Sequence, residues 1–394
     1  MIFHSIDIKQ NCKSIVANNK IINDPEYSNL TGTWDYNMDH KNNQIQYANL
    51  YLQGKSIDEI CPSHLKDKWE TAKEKHKSFI KSFKKAQVKA SDYCFYDLVP
   101  ETFLLEFFGT KCEITEYILD NFEKPSNYDY LLALRKMLMD IEQNKLNLNI
   151  SALNNQMHKY KVRRFKDKLT RMSRNVSYNL FGTVTGRLTT KKGSFPILTL
   201  DRDYRSVVMP NNDFFLELDF NGAELRCLLG LSGLGQPKDD IHAWNVKNVY
   251  KDSITREEAK KRIFAWLYNL ESKDLMSNRA YDRDSLLEKY FDGEHIHNPF
   301  GRKIKCDKFH AINFLIQSTA SDIFLRRAIE INKMLKGKKT KIAGLIHDSM
   351  LIDFSNEDKH LLPEIIKTFQ DTDFGTFKVN KSIGLNFGNM MEIK

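Results

Sequence analysis

DFFLELDFNGAELRCLLGL, residues 213–231, decides how the chain folds. Its first half alternates. Leu216, Leu218 and Phe220 fall on one side of an extended chain, and Glu217 and Asp219 on the other. That is a short strand with one apolar and one acidic face. Asn221-Gly222 breaks it, and AELRCLLGL then reads as a helix. A strand feeding straight into a helix leaves Asp219 at the strand's end.

A second carboxylate has a comparable setting. KIAGLI-HDS-MLIDF, residues 341–354, reads as two apolar strands joined by a tight polar turn, with Asp348 in the turn. Each aspartate taken alone reads equally as an ordinary turn residue. Held together at neighbouring strand ends, two carboxylates can share a pair of divalent cations. One cation lowers the pKa of an attacking hydroxyl, and the other stabilises leaving phosphate oxygens.

Between them lies a helix, predicted over 252–270 with a cap at Ser253. Arg256, Lys260, Phe264 and Tyr268 recur every four residues and so share one face. Two cations near the first turn suit a triphosphate, with the helix dipole behind them. Two aromatic rings further along suit a base or a sugar. A mixed surface-and-core stripe gives the same spacing.

The surrounding chain fits a polyanionic partner. Lys and Arg total 60 against 51 Asp and Glu, a formal charge of +9. Between Lys159 and Lys192 stand 11 basic residues and one acid, Asp167, so the excess is focused there. Such a stripe can track a phosphate backbone, although a solvated helix face carries the same composition. The 394 residues allow two or three domains. Residues 95–154 carry apolar spacing of helical period. No Cys-x-x-Cys pair marks a zinc or redox site among the six cysteines. Six free thiols and no leader-like apolar start point to the cytoplasm. No apolar run has membrane-spanning length.

Together the motifs resemble the polymerase domain of family A DNA polymerases, the polymerase I-like group that includes phage enzymes. The resemblance covers roughly residues 95–394. Phe181-Gly-Thr-Val-Thr-Gly-Arg-Leu-Thr-Thr190 is similar to the family's Thr-Gly-Arg-Leu-Ser-Ser signature, and implies that Arg187 contacts the primer-terminal minor groove. Asp219-Phe-Asn-Gly-Ala-Glu-Leu-Arg226 resembles the first catalytic motif. It implies metal contacts from Asp219 and the Phe220 carbonyl, and exclusion of a ribose 2′-hydroxyl by Glu224. Asp240-Ile-His242 fits an element whose histidine touches the incoming triphosphate. Arg256 to Tyr268 fits the fingers helix: Arg256 and Lys260 would bind triphosphate, Lys260 would protonate pyrophosphate, and Phe264 and Tyr268 would line the nucleotide pocket. Asn313 and Gln317 match residues that touch the primer-template, and His347-Asp348 matches the final motif.

The resemblance implies an α+β right-hand polymerase, with an antiparallel palm sheet and helical fingers and thumb. The expected divisions are an accessory region at 1–94, thumb at 95–190, palm at 191–235 and 301–394, and fingers at 236–300. Lys159, Arg163, Arg164, Lys168, Arg171 and Arg174 would grip DNA phosphates. The implied cofactor is Mg2+, as two ions that Mn2+ can replace. The implied partners are primer-template DNA and dNTPs, with no membrane, for a monomer served by a separate exonuclease or processivity factor. An exonuclease needs an early Asp-x-Glu strand, and Asp7-Ile8-Lys9 has the wrong second charge. Ser349 replaces the glutamate of the family's usual His-Asp-Glu, and Phe309 stands where an arginine precedes the Asn313 match. Two alternatives stay open: a single-subunit RNA polymerase, and an inactive nucleic-acid-binding accessory protein that kept the fold.

Overall fold

The computed structural model describes residues 1–7, 12–35, 44–88, 93–170, 172–269 and 271–393. The chain divides into two compact units, Met1–Met139 and Asp140–Lys394.

In the first unit, strands Phe3–Ser5, Ile15–Ala17 and Lys20–Ile22 form an antiparallel sheet in sequence order. Ile15, Val16 and Ala17 are fully buried. The helices Ser63–Lys85 and Glu101–Asn121 lie in this unit and pack through Trp69 on Phe107 and His76 stacked on Phe107. Asp7 accepts a hydrogen bond from the Phe95 amide at 2.9 Å. Ile8 and Lys9 lie outside the described residues. One expectation is corrected here. Cys12 and Cys94 form a disulfide, with Cα atoms 5.8 Å apart. Their 82-residue separation leaves no local signature. Four cysteines remain free, and the argument from six free thiols to a reducing compartment loses its footing.

The second unit is built on a five-stranded antiparallel sheet. Strand Phe214–Phe220 is its centre, between Ser349–Phe354 and Val379–Gly384, with Lys341–Ile346 and Met391–Ile393 at the edges. Its alternation is the one read from sequence. Leu216, Leu218 and Phe220 are buried, while Glu217 and Asp219 are half-buried. Phe220 stacks on Phe369 at 4.4 Å between centroids and meets Phe324 and Phe377 edge-on. Those rings come from the helices Leu362–Gln370 and Lys308–Met334 and the segment after Gly375–Thr376. One sheet face is therefore sealed by aromatic packing, which leaves the acidic face for chemistry.

The Lys341–Ile346 edge is guarded. The Tyr178 hydroxyl donates to the Leu345 carbonyl at 2.8 Å and accepts from the Leu345 amide at 2.7 Å. A bulge interrupts the pairing between Ile342 and Gly344.

Helices Ala223–Leu231, Ile241–Asn248, Arg256–Tyr268, Leu275–Tyr281 and Arg283–Tyr290 follow the central strand. They share a core that includes Leu228, Ile263, Trp266, Leu267 and Tyr281. The Arg256–Tyr268 helix starts later than predicted. Its cap is Thr255, whose hydroxyl accepts from the Glu258 amide while the Glu258 carboxylate accepts from the Thr255 amide. Ser253 instead donates to the Tyr250 carbonyl. The left-handed backbone of Lys251 and Asp252 keeps the preceding residues out of the helix.

Candidate active site

The central strand carries Asp219 to the sheet's end, directly opposite Ser349. Asp348 is one residue earlier on the neighbouring strand's turn, and its carbonyl accepts from the Phe220 amide at 3.4 Å. The hairpin turn is tight because His347 adopts a left-handed backbone, φ 57°. The two aspartates thus meet across adjacent strand ends, as predicted. Burial first, and Asp348 second, push the Asp219 carboxyl up to about 7, against one hydrogen bond from Asn380 at 3.2 Å. Burial also raises Asp348, with Glu224 adding to the effect against its own backbone amide. Neither carboxylate forms an ion pair with Lys or Arg among the described residues.

Two half-buried carboxylates, neither ion-paired with Lys or Arg among the described residues, form a set of hard oxygen donors that suits Mg2+. Among the described residues, no group of three or more His, Cys, Asp or Glu side chains is arranged to hold an ion directly. The fit therefore rests on this pair.

A cavity of about 180 Å³ beside the pair is lined by Arg187, Glu224, Phe264, His347 and Asp348, among others. Glu224, in the first turn after the strand, accepts from both the Arg187 guanidinium and the Tyr268 hydroxyl. Burial and then Glu224 push the Tyr268 hydroxyl far up, so it stays protonated as a donor, with Gln317 adjacent. Phe264 and Tyr268 stack at 5.9 Å, and His242 lies 6.1 Å from Phe264. Burial keeps His242 below its usual value, so the ring is neutral near pH 7.

The predicted helix face holds. Its opposite side, Ala259, Ile263, Trp266 and Leu267, is buried. Lys260 is exposed and makes no ion pair among the described residues. Arg256 donates to both Asp240 oxygens, at 3.0 and 2.9 Å. Burial alone would raise Asp240, but Arg256, Asn221 and the Ala243 amide hold it below the usual carboxylate range. Asp240 also caps the Ile241–Asn248 helix, so one carboxylate joins two helices to the residue after the central strand.

Asn313 and Gln317 lie one turn apart on the Lys308–Met334 helix, both half-buried. Asn313 Oδ1 is buried with no protein partner. The basic stripe lies elsewhere. Arg163, Arg164 and Lys168 sit on the helix Tyr160–Leu169, whose cap is Lys159. Arg164 and Lys168, with Lys161, line a groove of about 610 Å³ floored by Phe165 stacked on Tyr204. Arg163 turns back to the Met157 and His158 carbonyls. Arg174 follows the helix, and Arg171 lies outside the described residues.

Three supporting contacts escaped the sequence reading. Arg226, fully buried, donates to the main-chain carbonyls of Asn221, Pro237 and Asp239. Arg302, bonded to buried Asp322, packs where a Cβ on Gly186 would stand, so the loop before Arg187 requires glycine. Ser349 donates to Glu217 at 2.8 Å. Only the Glu-Leu-Arg spacing hinted at the first.

Comparison places this geometry. The structure of the POL domain of Pol1 from M. smegmatis, in complex with DNA primer-template and dNTP, superposes with a TM-score of 0.67, covering 92% of this chain and 87% of that one at 11% identity. The chain has the fold of a DNA polymerase domain. DNA polymerase I of Aquifex aeolicus (strain VF5) is 25% identical over 287 residues, 59% of this chain and 48% of that protein. The chain thus spans about half the length of the curated relative it matches. No protein-family model matches it. The five-stranded sheet is antiparallel, as expected, and among the described residues five helices follow Asp219 before the long helix Lys308–Met334.

Proposed function

We propose that this chain is a DNA-directed DNA polymerase that adds dNTPs to a primer 3′ end by two-metal phosphoryl transfer. The reading is carried by the meeting of Asp219 and Asp348 at adjacent strand ends, beside the Arg187–Glu224–Tyr268 cluster. Relatives described as DNA polymerase I, and as a domain bound to primer-template and dNTP, support it.

Asp219, Asp348 and the Phe220 carbonyl would hold two Mg2+ ions. When bound, these supply Lewis-acid activation of the primer hydroxyl and charge stabilisation at the leaving phosphate. The protein's own part is positioning. Lys260 and Arg256 bind the triphosphate, His242 touches it, and Lys260 delivers a proton to pyrophosphate. Arg256 must share its guanidinium with Asp240 to do so, which links nucleotide arrival to the position of the fingers helix. Phe264 and Tyr268 line the base pocket, and Glu224, pinned by two donors, closes the space a 2′-hydroxyl needs. Arg187, Asn313, Gln317 and His347 face the primer-template. Lys159, Arg164, Lys168 and their neighbours hold duplex phosphates. The fingers are residues 236–300, the palm 191–235 with 301–394, and the thumb lies within 95–190. The chain does not proofread.

Primer extension with Mg2+ tests this. Asp219→Ala and Asp348→Ala should each abolish extension while duplex binding persists, and robust synthesis by either ends the proposal. Incorporation of NTPs as readily as dNTPs would favour an RNA polymerase instead. Loss of nucleotides from a mismatched primer would refute the absence of proofreading.

A further inference from the structure

We infer that Glu217 supplies a third negative charge to the proposed metal site, as a positioning residue acting through Ser349 and water. This rests on the polymerase reading of Asp219 and Asp348.

Glu217 precedes Asp219 by two residues on the same strand, so both side chains leave the same sheet face. Its direct cross-strand neighbours are Leu351 and Ser382, while Asp219 faces Ser349 and Asn380. The Ser349 hydroxyl nevertheless donates to Glu217 Oε1 at 2.8 Å. That contact is diagonal across the strand pair, within reach of a long side chain. It bends the Glu217 carboxylate along the strand toward Asp219. Ser349 is buried, at 6% exposure, so the contact is fixed in the sheet.

Among the described residues no Lys or Arg forms an ion pair with Glu217. Neighbouring acids oppose one another unless a cation offsets them; Arg187 and His347 do so in part at Asp348, and no Lys or Arg is ion-paired with Asp219 or Glu217 among the described residues. Among the described residues no three His, Cys, Asp or Glu side chains are grouped to hold an ion directly, so Glu217 is assigned a place outside the direct ligands. It stands one layer out, where a carboxylate orders metal-bound water and tunes affinity. Ser349 occupies the place next to Asp348 where a carboxylate would reach the ions from the turn. The structure brings the charge in from the first strand instead, and Ser349 aims it.

The test is Mn2+ binding to the full chain, followed by electron paramagnetic resonance, with a primer-template ended in a dideoxynucleotide and a matching dNTP. Glu217→Gln, which can keep the Ser349 hydrogen bond, should weaken Mn2+ binding about tenfold, the lower end for an outer-layer group. Ser349→Ala should weaken it less. The pair Glu217→Ala with Ser349→Glu, which moves the charge to the turn, should restore most of the affinity. Unchanged Mn2+ affinity in Glu217→Gln overturns the inference, as does a charge-moved variant no better than Glu217→Ala. Asp219→Asn and Asp348→Asn separate the two levels. If they abolish Mn2+ binding and Glu217→Gln does not alter it, only the role of Glu217 fails. If they too leave it unchanged, the metal-site reading fails with it.

Discussion

Asp219 carries its chemistry as a pH dependence. Its carboxyl titrates at about 7 in the folded chain against 3.8 for an ordinary aspartate. Between those values the folded state keeps a proton that the unfolded state has released. Stability contributed by this group therefore falls as pH rises through that window, and the penalty is complete above it. In metal-free protein, Asp219→Asn should melt at a higher temperature than the parent at pH 8. The gain should shrink toward nothing below pH 4. Thermal melts in EDTA at the two pH values decide it, and an equal gain at both would remove Asp219 as the source. At this scale the sequence disclosed the two aspartates and Glu224, because local motifs hold them. It did not disclose that Glu217 bonds to Ser349 across 132 positions, or that Arg256 rests on Asp240. Such contacts depend on strand register and helix packing, which have no local period.

Elements were legible where their period was strong. The phase of Phe214–Phe220, the break at Asn221-Gly222 and the 341–354 hairpin follow directly from alternation and turn chemistry. The start of the Arg256–Tyr268 helix did not. Ser253 and Thr255 are both capping residues, but only Thr255 has a glutamate three positions on. The left-handed pair Lys251 and Asp252 spends Ser253 on a turn. Thr255→Ala should cost about 1 kcal/mol in urea denaturation, whereas Ser253→Ala should leave the helix itself intact. Because this helix carries Lys260 and Tyr268 at fixed spacing, fraying at its start should loosen Arg256 before it disturbs the stacked rings.

For the whole molecule, the right-hand fold was predictable from motif order, whereas the compact division at Met139 was not visible in composition. Nor was the Cys12–Cys94 bond. The charge excess makes a measurable claim. Lys161, Arg164 and Lys168 share one groove. Replacing all three by Gln should reduce the slope of log affinity against log salt for duplex DNA by about 3, roughly one per lost phosphate contact. An unchanged slope would place the DNA elsewhere.

The Tyr178 hydroxyl has a consequence for the protein's behaviour in a crowded solution. Sheet margins invite neighbours: their free amides and carbonyls are a template on which other chains can add strands. By engaging both polar groups of Leu345, Tyr178 blunts the margin next to the hairpin that carries Asp348. Tyr178→Phe should keep the ring in its buried place but unblock that backbone. The expected outcome is concentration-dependent oligomers in light scattering, from a chain whose monomeric activity at high dilution is little changed. Colloidal stability and the geometry of the site would then share one phenolic oxygen.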